Sequence, residues 1–147
     1  MYGMILLLHV LGAMVWTGGH VVLTLTVLPR ALREKSVDQL SHFEAGYERI
    51  GMPALLLQVL TGVWLAHHML PDVSQWLAFD NPVARLIAVK LLLLTVSVAF
   101  AIHAKFRVIP KLSANNLTVM AWHIVPVTLI SVLFTVIGVS FRTGWFY

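Results

Sequence analysis

Met4-Ile5-Leu6-Leu7-Leu8-His9-Val10-Leu11-Gly12-Ala13-Met14-Val15-Trp16-Thr17-Gly18-Gly19-His20 lies inside an apolar run, Gly3 to Leu28, that holds no Asp, Glu, Lys or Arg. A run of this length crosses a bilayer as a helix, which takes about 20 apolar residues. It also carries two histidines, His9 and His20. Eleven residues at about 100° each bring them within about 20° of one direction, and about 1.5 Å of rise per residue sets them about 16 Å apart. Gly12, Ala13, Trp16 and Gly19 share that face. Two imidazoles at two depths on a face of small residues point to a flat ligand or a metal.

The rest of the chain agrees with a membrane setting. Of 147 residues, 59% are hydrophobic and only 11% charged, against about 25% charged in soluble domains. The charges cluster between apolar runs, the pattern of a polytopic membrane protein. The net charge of +4 then reflects loop asymmetry and calls for no nucleic-acid partner. The absence of cysteine excludes disulfides, thiolate metal sites, iron–sulfur clusters and covalent c-type haem. The start of the chain has neither a basic leader segment nor a convincing cleavage site, so the first run is read as a retained helix.

The pattern predicts an all-α membrane protein, a four-transmembrane-helix bundle forming a single domain over residues 1–147. Spans fall at about 3–28, 51–70, 85–105 and 117–141. Pro29-Arg30 closes the first. Ser36 and Gln39 have capping-box spacing, and Leu40, Phe43, Tyr47 and Ile50 recur at helical intervals. A short interfacial amphipathic helix, about 37–50, is therefore expected before span two. In span two, Ala54, Gln58, Thr61, Gly62 and Leu65 form one sector, with His68 at its edge and His67 on the opposite side. Trp76 and Phe79 suit an interfacial belt. Span three carries Lys90 on a face with Ser97, and His103 on a face with Arg85. Span four carries His123 near its start and Pro126 as a kink. Basic residues concentrate after spans one and three. Positive-inside bias therefore puts those loops in the cytoplasm of a bacterial-type membrane and both termini outside.

This topology sorts the histidines into an outer level (His9, His67, His68, with Lys90 nearby) and an inner level (His20, His103, His123). Such layering fits axial ligation of haem b, one or two per chain, by neutral imidazoles, with small residues admitting the macrocycle. The pairs expected are His9 with His68 and His20 with His103, with His67 and His123 as substitutes. Gly12, Trp16 and Gly19 would border the ring, and Arg85, Lys90 and Trp76 would meet propionates outside, as Arg30 and Lys105 would inside. The plainer readings are that helix-end histidines cap carbonyls or reach the headgroups, that Lys90 snorkels, and that Trp16 and the glycines simply pack helices. The scattered methionines make a weak copper box, since copper(I) needs converging soft ligands.

Leu8-His9 followed by Trp16-Thr17-Gly18-Gly19 resembles the first-helix signature shared by CopD-type membrane proteins and HemJ-type protoporphyrinogen oxidases. Tyr47-Glu48-Arg49-Ile50, Pro53 and Gly62-Val63-Trp64-Leu65 resemble the second helix of the HemJ group. Val89-Lys90-Leu91-Leu92-Leu93 with His103 resembles its third. The HemJ resemblance implies a small four-helix protein binding haem b, in which a first-helix histidine and a third-helix lysine matter; His9 and Lys90 are the matching positions. The CopD resemblance, closer in the Trp-Thr-Gly-Gly-His run, implies copper handling. The function expected from the sequence is membrane redox or electron transfer through haem, with a quinone, a porphyrinogen or an oxygen species as partner and a homodimer as the assembly. A HemJ-like oxidase and a CopD-like copper transporter are the alternatives. If the chain is an enzyme, it is an oxidoreductase.

Overall fold

The computed structural model describes residues 1–147 and contains helices without strands. Four helices are long and apolar enough to cross a membrane: α1 (Tyr2–Glu34), α2 (Val37–Met69), α3 (Pro82–Lys111) and α4 (Leu117–Thr143). At about 1.5 Å per residue they exceed a hydrocarbon core of about 30 Å, so their ends reach the headgroup region.

Two of these helices run past prolines by the same device. In α1 the turn Leu23–Val27 is π-helical and lies just before Pro29. In α3 the π turn Ala104–Val108 lies just before Pro110. A proline ring collides with the carbonyl four residues back in a regular helix and donates no hydrogen bond. The wider π turn moves that carbonyl away and accommodates the proline. Pro29 therefore does not close α1, which continues to Glu34. Lys35 ends it in the left-handed region, φ 50°, a conformation usually left to glycine.

The segment 37–50 is not a separate helix: α2 is continuous from Val37 to Met69 and includes Pro53. Nor does the capping box form. Ser36 stands at the N-cap without a side-chain hydrogen bond, while Gln39 donates to the Glu34 carboxylate. The charged acceptor is the stronger one, and Gln39 turns toward it. Trp76, expected in an interfacial belt, is buried, its indole N–H donating to the Leu70 carbonyl at 2.8 Å. It sits in a 3-10 turn, Val73–Leu77, capped by Asp72. Hydrogen bonds from the Ser74 hydroxyl, the Ser74 N–H and Gln75 hold the Asp72 carboxyl below the usual range.

α1 packs most extensively on α2, and α4 packs on both α3 and α1. Hydroxyls join α1 to α4: Thr24 and Thr128 meet at 2.6 Å, the Thr128 hydroxyl stands 3.2 Å from the His20 carbonyl, and Thr17 donates to the Ser131 carbonyl at 3.3 Å. A compact apolar cluster of Leu28, Ala31, Leu40, Val108, Leu117, Met120 and Ile124 closes one end. Outward-facing Leu25, Leu56, Leu92, Leu129 and Trp122 are exposed, as a lipid-facing surface requires.

Candidate functional site

The first-helix face carrying His9 and His20 is turned into the bundle. His20 is buried and Gly12 with it. His9 is half-buried, its Nδ1 2.9 Å from Thr61 Oγ1. The Thr61 hydroxyl has one hydrogen, and that hydrogen goes to the Leu57 carbonyl at 2.6 Å. With its hydrogen there, Thr61 Oγ1 is left as an acceptor for a proton on His9 Nδ1. A neutral ring with its proton on Nδ1 keeps a lone pair on Nε2. The imidazole lies close against α2, since a Cβ at Gly62 would stand 3.1 Å from His9 Cε1.

His20 reaches the same state by another route. Its Nδ1 donates to the Trp16 carbonyl at 2.9 Å, again leaving Nε2 free to ligate. The Trp16 carbonyl also accepts from Tyr47 Oη at 3.0 Å. Aromatic rings enclose the imidazole: Trp16 at 4.5 Å between centroids and Tyr47 at 5.7 Å, edge-on, with Phe43 stacked on Tyr47. Fixing one nitrogen by a protein acceptor is how ligating histidines are oriented. Both histidines of α1 have that support.

The haem geometry expected from the sequence meets two obstacles. First, the glycine notches are filled. A Cβ at Gly12 would stand 2.9 Å from Gln58 Cγ, and one at Gly19 would overlap the Tyr47 ring. Gln58 is held there by donating to the His9 carbonyl at 2.5 Å. The small residues admit α2 side chains and leave no slot for a macrocycle in the α1–α2 seam. Second, the expected pairs do not form. His9 lies at the level of Thr61 and Gly62, and Gly62 precedes His68 by about 9 Å of helix. The His68 ring is exposed, stacked on Trp64 at 5.1 Å and near Tyr2 at 5.2 Å. His103 pairs with His123, not His20: their rings stack at 4.9 Å, with His103 Nδ1 2.7 Å from His123 Nε2.

The remaining predicted residues are dispersed. His67 is exposed, and Arg85 is half-buried in the first turn of α3. Lys90 faces α4, its Nζ 5.6 Å from the Phe141 ring centroid and close to Gly138. Arg30 pairs with Glu34, and Lys105 with Glu48 at 3.5 Å. Ser97, on the Lys90 face, has a buried hydroxyl without a partner. No three His, Asp or Glu side chains converge as a ready metal cage. Sequence reading placed Thr61 and Gln58 on the inward sector of α2 but gave them no role. It missed Tyr47 as the neighbour of His20, because that contact depends on α2 beginning well before residue 51.

A bundle of four helices long and apolar enough to cross a membrane defines an integral membrane protein. The family described as copper resistance protein D, CopD, matches residues 41–141, and the chain belongs to the CopD family. The match takes in His42, His67, His68, Lys90, His103 and His123, while His9 and His20 precede it. No curated protein and no solved structure matches the chain.

Proposed function

We propose that this CopD-family protein handles copper in the membrane, taking the ion as cargo at His9 and His20. One arrangement carries the reading: His20 Nδ1 donates to the Trp16 carbonyl, His9 Nδ1 lies 2.9 Å from Thr61 Oγ1, and neither Nε2 has a hydrogen-bond partner. Imidazole suits copper, and membership of a family described by copper resistance supplies the identity of the metal. With the basic loops in the cytoplasm, His9 is the outer station and His20 the inner, about 16 Å further along α1. Gln58 and Tyr47 stand between the stations, so passage of an ion requires these two side chains to swing aside.

The same nitrogens would serve a haem iron, and the filled notches at Gly12 and Gly19 argue against that use in this seam. Metal analysis and an absorbance spectrum of detergent-purified protein from copper- and haem-replete cells separate the two. Bound copper without a Soret band is expected. Stoichiometric haem without copper would overturn the proposal and restore an electron-transfer or porphyrinogen-oxidising role.

The Thr61 hydroxyl gives a finer test. Thr61→Val keeps the shape and removes the acceptor for His9 Nδ1–H. Loss of such an orienting partner weakens metal binding about 10- to 100-fold. Competition with a chromogenic chelator should show that loss at one station only; an unchanged affinity would remove Thr61 from the site.

A further inference from the structure

A second site lies at the far end of α3, away from His9. A cleft of about 450 Å³ is lined by His103, Arg107, Val108, Lys111, Asn116 and Val119. No acidic residue lines it. The three ion pairs of the protein engage Arg30, Arg33 and Lys105, so Arg107 and Lys111 bring their charges to the cleft unneutralised. Asn116 is already spent on its own loop, accepting from the Ser113 N–H and donating to the Lys111 carbonyl, both at 2.7 Å. It shapes the rim and holds Lys111 in place. The first turn of α4 borders the same space with no side-chain cap on its N–H groups, which favours an anion further.

The setting identifies the anion. Phe106, next to Arg107, is 69% exposed, and Trp122, next to His123, is 72% exposed. Large bare aromatics at the end of membrane-spanning helices sit in the acyl and headgroup boundary. A molecule that places an anionic group between Arg107 and Lys111 and apolar chains beside Phe106 and Trp122 is a phospholipid. We propose that this cleft binds the phosphodiester headgroup of an anionic phospholipid, by the chemistry that basic pockets between membrane helices offer such headgroups. The site is independent of copper binding and stands or falls separately from it.

The test reads which lipids stay on the whole protein after extraction from vesicles of phosphatidylglycerol and phosphatidylcholine, using native mass spectrometry. The wild type should retain phosphatidylglycerol selectively. Arg107→Gln should weaken that retention about fivefold, and Arg107→Gln with Lys111→Gln about 30-fold. Arg33→Gln with Lys35→Gln, a basic pair elsewhere, should leave it unchanged. If the double variant does not fold, as judged by circular dichroism, the single variant decides. Equal retention in wild type and variants would overturn the proposal. So would displacement of the lipid by millimolar inorganic phosphate, which would make the site one for the free ion.

Discussion

Gly18→Ala and Gly19→Ala, one residue apart on α1, are expected to shift the stability of the bundle in opposite directions. Alanine is the better helix former by about 1 kcal/mol. At Gly18 nothing lies within 4 Å of the new methyl group, so that gain stands alone. At Gly19 the methyl group would overlap the Tyr47 ring. Tyr47 has little freedom to retreat, because its hydroxyl donates to the Trp16 carbonyl at 3.0 Å and approaches the Val15 carbonyl at 3.2 Å. Overpacking of this kind costs about 1–3 kcal/mol, and a lost hydrogen bond adds about 1 kcal/mol. These costs exceed the propensity gain. Thermal unfolding in detergent, followed by tryptophan fluorescence, should give a raised midpoint for Gly18→Ala and a lowered one for Gly19→Ala. Equal shifts would mean that α1 and α2 do not meet along the Gly19–Tyr47 line.

If copper is carried at His9 and His20 as proposed, replacing both should abolish its binding. His9→Gln and His20→Gln retain polar side chains, which limits the damage to packing, but remove the imidazole Nε2. Each single variant should lose one station and the double variant both. Loss is expected at each, because the imidazole is the ligand proposed there. Copper counted per chain after equilibrium dialysis is the readout. Full copper content in the double variant would place the site elsewhere in the bundle.

Much of this protein was legible before folding. The charge-free run from Gly3 to Leu28 demands a membrane helix, because an unpaired ionised side chain in hydrocarbon is costly and an apolar face in water is too. The shared direction of His9 and His20 follows from helical periodicity alone, and the structure does turn that face inward. The placement of Gln58, Thr61 and Gly62 on the inward sector of α2 followed from the same arithmetic.

What periodicity leaves open is the partner. A helix face states which residues point together, and neither their contacts nor how deep two helices interlock. His9 lies opposite Thr61 and Gly62 instead of His68 because of the axial register between α1 and α2, which many side chains set jointly. The glycines at 12 and 19 read equally well as room for a ring or as room for a neighbouring helix; only packing shows Gln58 and Tyr47 in those notches. Pro29 differs from its expectation for a related reason: proline stops a regular helix, but a π turn ahead of it is a local adjustment that residue patterns do not announce. Composition and spacing thus determined by themselves that four apolar helices span a membrane and that two imidazoles share one face, since both are properties of single segments. The tertiary structure alone decided which atoms hold those imidazoles and leave Nε2 free, because hydrogen bonds between helices depend on register, and register belongs to the assembled bundle.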